Sequence, residues 1–146
     1  VDGQVKSLRD WGIPLGRRFR ALKLWFAIRE QGVAALQARL RRDIANAIWL
    51  GEQVAKTPDW RLIAPVRLQT VCMRHEPPGL DGEALDRHTL AWAERVNRSG
   101  AAYLTPAVVD GSWMVRISVG ALSTEAADVA AVWQTMRQAA EAALPR

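Results

Sequence analysis

Few side chains in this 146-residue chain could do chemistry by themselves: two histidines, His75 and His88, one cysteine, Cys72, and three lysines, Lys6, Lys23 and Lys56. An imidazole can move protons near neutral pH, a thiolate can attack carbon, and a lysine amine can condense with a carbonyl. Each of these needs a partner, and the sequence offers few. The histidines, Cys72 and the scattered carboxylates do not fall at metal-ligand spacing, so no metal site is expected. The sequence contains no H-E-x-x-H, no C-x-x-C and no glycine-rich phosphate loop, and "GIPLG" at residues 12–16 spaces its glycines wrongly for a nucleotide fingerprint. His75 at a strand end and His88 on a helix face read as structural. Cys72 reads as a buried, inert thiol with no cation on its face of the strand. The chain does not read as a complete catalyst.

Its charge is carried by arginine. Of 20 basic residues only three are lysines, leaving 17 arginines and a net charge of +5. Arg17, Arg18, Arg20, Lys23, Arg29, Arg39, Arg41 and Arg42 could form a nucleic-acid stripe, but they interleave with the most apolar helix of the chain, so an interface or a solvated face fits better. A single cysteine excludes an internal disulfide framework and points to a reducing, cytoplasmic setting. No run approaches the ~20 apolar residues of a membrane span. The opening "VDGQVKSLRD" has neither a methionine nor the apolar core of a signal peptide.

The elements that must position these residues follow from periodicity. One helix is expected over residues 15–31, closed by Gly32, and apolar nearly all round, which predicts burial on several sides. A second, over 33–55, should pack through Leu36, Leu40, Ile44, Ile48 and Gly51. Strands at 60–64 and 68–75 flank Pro65. Asp81 is placed to cap a helix over 83–98 whose stripe is Leu85, Trp92 and Val96. "AYLTPAVV" and "SWMVRISVG" form a hairpin through Asp110-Gly111, a pair suited to a turn with positive φ. A last helix opens at Ser123 or Thr124 and packs through Val129, Val132, Trp133, Met136 and Ala140. The order α-α-β-β-α-β-β-α predicts an α+β fold, a small, mainly antiparallel four-stranded sheet with helices on one face. In "SWMVRISVG", Trp113, Val115, Ile117 and Val119 should face the helices. Met114, Arg116 and Ser118 should face away, either into solvent or onto another domain where Arg116 meets an anion.

The stretch "DWGIPLGRRFRALKLWFAIREQGVAALQARLRRDIANA", with "VCMRH" and "TPAVVDGSWMVRISVG", resembles the group II pyridoxal-phosphate-dependent amino-acid decarboxylases, in their aromatic-L-amino-acid branch. Arg20 carries the distinction, since the diaminobutyrate branch has aspartate there. The resemblance covers essentially the whole chain and implies the C-terminal domain of a fold-type I enzyme. Residues 1–22 would be the tail of the large cofactor-binding domain, following a mobile loop, and residues 23–146 the small domain. It implies a homodimer that converts an aromatic L-amino acid to its amine and CO₂. The Schiff-base lysine for pyridoxal 5′-phosphate would lie in the missing N-terminal part, because none of the three lysines here sits in the family's motif. No catalytic residue is therefore expected in this segment. Leu15 and Gly16 would border the substrate pocket, Gly16 leaving room for a large ring where histidine decarboxylases carry serine. Arg9 would hold the mobile loop shut, and Arg116 would look toward the cofactor cleft. The alternatives are an aromatic aldehyde synthase or another amino-acid decarboxylase on the same scaffold, or a freestanding basic module that binds nucleic acid.

Overall fold

A computed structural model describes Gly16 and residues 18–144. The chain forms two compact units, Val1–Leu36 and Gln37–Arg146. The elements are α1 (Arg20–Gln31), α2 (Val33–Lys56), β1 (Trp60–Leu62), β2 (Thr70–His75), α3 (Gly82–Ser99), β3 (Thr105–Val109), β4 (Ser112–Ser118) and α4 (Ala126–Ala142). This is the expected order. The strands make one antiparallel sheet in the order β1-β2-β4-β3. β3 is one of the two edge strands, where a proline such as Pro106 is tolerated. Asp110 and Gly111 turn the β3–β4 hairpin with φ of 50° and 77°, as the primed turn requires.

One face of the sheet builds the core of the second unit. Trp60, Val71, Met73, Val115 and Ile117 meet Ala47, Leu50 and Val54 of α2, Trp92, Ala93 and Val96 of α3, and Val129, Trp133 and Met136 of α4. Three indoles meet there edge-on: Trp60 lies 5.3 Å from Trp92 and 4.8 Å from Trp133, centroid to centroid. Such aromatic pairs are each worth about 0.5–1.5 kcal/mol beyond the area they bury. Asn97 pins the entry to β3, donating to the Leu104 carbonyl and accepting from its N–H.

Several helical expectations need correction. α1 begins at Arg20, and none of its residues is buried; Phe19 is 73% exposed, and Leu22, Leu24, Trp25, Phe26 and Ile28 are all exposed. The apolar surface expected to pack on several sides meets no cover among the described residues. α2 packs through Ala47, Leu50, Gly51 and Val54, with Asp43 and Asn46 also buried, while Leu40 and Ile48 are exposed. Apolar residues ring this helix, so a stripe read from spacing alone can settle on the wrong side. α4 is capped by Glu125, not Ser123 or Thr124: the Asp128 carboxylate accepts from the Glu125 N–H at 2.8 Å and the Glu125 side chain reciprocates, a capping box. Asp81 does stand at the N-cap of α3, though its side chain makes no capping bond.

The histidines are buried, and they are joined. His75 Nδ1 lies 2.8 Å from His88 Nε2, and His88 Nδ1 lies 3.4 Å from the Ala143 carbonyl, with both rings buried. Since a carbonyl only accepts, the geometry assigns the proton of neutral His88 to Nδ1. Its Nε2 then accepts from His75 Nδ1–H, and His75 Nε2 is left as a bare acceptor. Burial lowers the pKa of both rings from 6.5, and the neighbouring His88 lowers that of His75 further. Asp59 and Glu141 oppose the shift at His75, and the Ala143 bond opposes it at His88. A histidine depressed in the folded state binds protons more readily once unfolded, so its stabilisation is complete above pH 6.5 and is lost as pH falls through the folded values. Urea unfolding at a series of pH values from neutral down to about 5 is expected to show stability falling with acid, and a His75→Leu/His88→Met variant should have a flatter profile. Identical slopes would remove the pair from the pH response.

Candidate functional site

The residues nominated by sequence fall in three places. Leu15, Arg9 and Arg17 lie outside the described residues. Gly16 is exposed, and a Cβ built on it would meet nothing within 4 Å, so a larger residue is tolerated there by this chain. In α1, Trp25 and Phe26 pack edge-to-face at 5.0 Å, and the Arg29 guanidinium stands 5.8 Å from the Trp25 ring centroid. Phe19, Leu22, Leu24, Trp25 and Ile28 line a shallow apolar depression on this unit.

Arg116 lies in the second unit on the sheet face opposite the core, as the alternation of β4 required. Strand register places it between Cys72 of β2 and Thr105 of β3. Beside it Thr70 Oγ1 and Ser118 Oγ share a hydrogen bond of 3.2 Å. Met114, on the same face, is buried nonetheless. Cys72 is only half-buried and has Arg116 as its cross-strand neighbour, which corrects the reading of a buried thiol with no cation on its face. Register, invisible in a single strand, brings the two together.

The other arginines of this face are spent. Arg74 Nη2 lies 2.6 Å from Glu76 Oε1, Arg61 Nε lies 3.2 Å from the same oxygen, and Arg74 also donates to the Trp113 carbonyl. The Trp113 N–H in turn donates to Asp86. These bonds fix the base of the hairpin and were not legible from spacing. Arg116, in contrast, has no ion-pair partner among the described residues. A guanidinium on a face with hydroxyls and no helix over it can receive an anion.

Part of the basic run is structural, not a solvated face or an interface. Arg42 donates to Glu125 and to the Leu122 carbonyl, each at 3.1 Å, and stands 3.7 Å from the buried Asp43. This ties α2 to the start of α4. Among the described residues no group of three or more His, Cys, Asp or Glu could hold a metal, and no helix is long and apolar enough to cross a membrane. The described lysines form no pocket: Lys23 is exposed on α1, and Lys56 is exposed and pairs with Glu52.

Sequence reasoning missed a cleft of about 610 Å³ in the second unit, walled by Asp59, Trp60, His75, Pro77, Arg137 and Glu141. Its residues come from three distant parts of the chain. Only the Arg137/Glu141 spacing, one turn apart on α4, was visible locally.

Against known proteins, residues 2–76 match the model of the pyridoxal-dependent decarboxylase conserved domain. Tryptophan decarboxylase TDC2 of Camptotheca acuminata is 39% identical over 144 residues, covering 96% of this chain but 28% of the relative. The crystal structure of Oryza sativa TDC with PLP and tryptamine superposes with a TM-score of 0.79 at 31% identity, over 96% of this chain and 30% of that one. Rhodiola rosea 4-hydroxyphenylacetaldehyde synthase superposes with a TM-score of 0.75 at 33% identity, over 92% of this chain and 29% of that one. The chain thus spans under a third of the length of the proteins it matches. With both its sequence and its fold continuous with theirs, it belongs to the pyridoxal-dependent decarboxylase family.

Proposed function

We propose that these residues are the C-terminal portion of a pyridoxal-phosphate-dependent enzyme that converts an aromatic L-amino acid to its amine and CO₂. The observation that carries this is the match to a tryptophan decarboxylase along 96% of the chain. Pyridoxal phosphate, carried by a Schiff-base lysine, would supply an electron sink for the carbanion left by decarboxylation. The residues described here do not fit that role, since neither Lys23 nor Lys56 lines a cavity, so the Schiff-base lysine is assigned to the remainder of the polypeptide. What this chain contributes is surface. Residues 1–22 would belong to the tail of the large domain and residues 23–146 to the small domain. The bare apolar faces of α1 and α2 suit contact with that large domain and with a second subunit of a cytoplasmic homodimer.

The site residues follow the same reading. Leu15 and Gly16 would border the substrate ring, Arg9 would hold the mobile loop, and Arg116 would face an anionic group at the cofactor cleft. The absence of an ion-pair partner for Arg116 among the described residues supports its assignment. A second reading, an aromatic aldehyde synthase, is favoured by one observation: the Rhodiola rosea synthase is 33% identical where the rice enzyme is 31%, with a TM-score of 0.75 against 0.79.

The complete enzyme, loaded with pyridoxal phosphate and given L-tryptophan or L-tyrosine, should release amine and CO₂ without consuming oxygen. Aldehyde with oxygen uptake would select the second reading, and turnover by residues 1–146 alone would overturn the assignment of the lysine. Gly16→Ser in the complete enzyme should lower the ratio of kcat/KM for L-tryptophan over L-histidine by about tenfold or more, because a hydroxyl fills ring space and rewards a polar ligand. An unchanged ratio would remove Gly16 from the pocket. Arg116→Ala should lose cofactor on dialysis, read from the absorbance of the bound aldehyde, while stability stays within about 0.5 kcal/mol as for other exposed substitutions. Cofactor retention and turnover equal to the parent enzyme would return Arg116 to solvent.

A further inference from the structure

We propose that the cleft formed by the α2–β1 turn, the segment after β2 and the last turns of α4 binds a free α-amino acid with a large apolar side chain, its ammonium held by Asp59, Glu141 and His75 and its carboxylate by Arg137. The cleft's volume, about 610 Å³, is that of a small-molecule site. Trp60, Pro77 and Leu80 give it apolar walls suited to an aromatic or branched side chain.

The polar groups are what make the ligand specific. Asp59, Arg137 and Glu141 all line the cleft, and none has a side-chain hydrogen bond or ion pair among the described residues. Arg137 and Glu141 stand one turn apart on α4 yet do not neutralise one another. Asp59 is held in place by its backbone: its φ is 64°, and its carbonyl accepts from the Glu76 N–H at 2.6 Å. His75 adds a third acceptor. With its Nδ1–H committed to His88, the ring keeps a free Nε2 in the cleft wall. Both carboxylates line the cleft together with that imidazole and favour its charged form. A primary ammonium has three N–H donors, and these are three acceptors. The last turn of α4 carries no basic side chain, so its carbonyl ends also favour a cation here. Arg137 then offers a planar donor fork to the carboxylate of the same ligand.

Isothermal titration of the complete enzyme, its catalytic centre blocked by borohydride reduction of the bound pyridoxal phosphate, tests this, with L-tryptophan as the probe. That choice follows the substrate class proposed above, whereas the cleft chemistry does not depend on it. L-Tryptophan should bind saturably, and about tenfold more tightly than tryptamine, which lacks the carboxylate, or indole-3-propionate, which lacks the ammonium. Arg137→Gln should abolish the advantage over tryptamine, and Glu141→Gln or Asp59→Asn the advantage over indole-3-propionate; asparagine keeps the tolerance for positive φ that position 59 needs. Unchanged far-ultraviolet circular dichroism shows that each variant is folded. Binding of tryptamine as tight as that of L-tryptophan, affinities indifferent to all three substitutions, or no saturable binding would overturn the proposal. Since the reduced enzyme cannot turn over and the three substitutions lie in this cleft, any of these results leaves the decarboxylase reading standing.

Discussion

A four-stranded sheet has two faces, and this chain buries one of them. Trp60, Val71, Met73, Val115 and Ile117 pack beneath α2, α3 and α4, and that burial holds the second unit together. Alternation along the strands then obliges Arg61, Thr70, Cys72, Arg74, Arg116 and Ser118 to the other side. Nothing in the helices is required to cover them. A slip of one residue in register would exchange the two sets and expose the whole core, so the position of Arg116 is as firmly fixed as that of Val115.

The same economy explains the helices. α1 and α2 carry more apolar surface than one core can take. In α2 the side bearing Ala47, Leu50 and Val54 is used, and Leu40 and Ile48 are left bare; in α1 nothing is buried. Monomeric proteins seldom expose so much contiguous apolar surface. The relatives are more than three times as long as this chain, and on α1 an exposed tryptophan and an exposed phenylalanine stand side by side.

Local physics was legible in the sequence, and distant physics was not. The order of elements, the Asp110-Gly111 turn, the two faces of β4 and the packing of α3 and α4 all follow from spacing and from the conformational needs of single residues. The packed side of α2 did not, because apolar residues ring it and only the arrival of the sheet selects Leu50 over Ile48. The cap of α4 is Glu125, one residue beyond Thr124, since a capping box is defined by who reaches back, a matter of one residue. The setting of Cys72 depended on β4 being its neighbour. Likewise, the bond between His75 and His88 and the cleft beside it join residues 13 to more than 80 positions apart, with no pattern to announce them. At the candidate site, Arg116 was legible through alternation. Its lack of a partner was not, because that depends on which side chains the neighbouring strands bring beside it.

The three core indoles carry a practical implication. Trp60 touches Trp92 and Trp133 and also lies 5.0 Å from the His75 ring, so one chromophore sits at the junction of a strand, two helices and an imidazole pair. Rings this close and steeply inclined couple their electronic transitions, giving the unit a near-ultraviolet dichroic band that exists only while all three elements are docked. The fold thereby contains its own optical gauge, read without a label and silent once the helices part from the sheet.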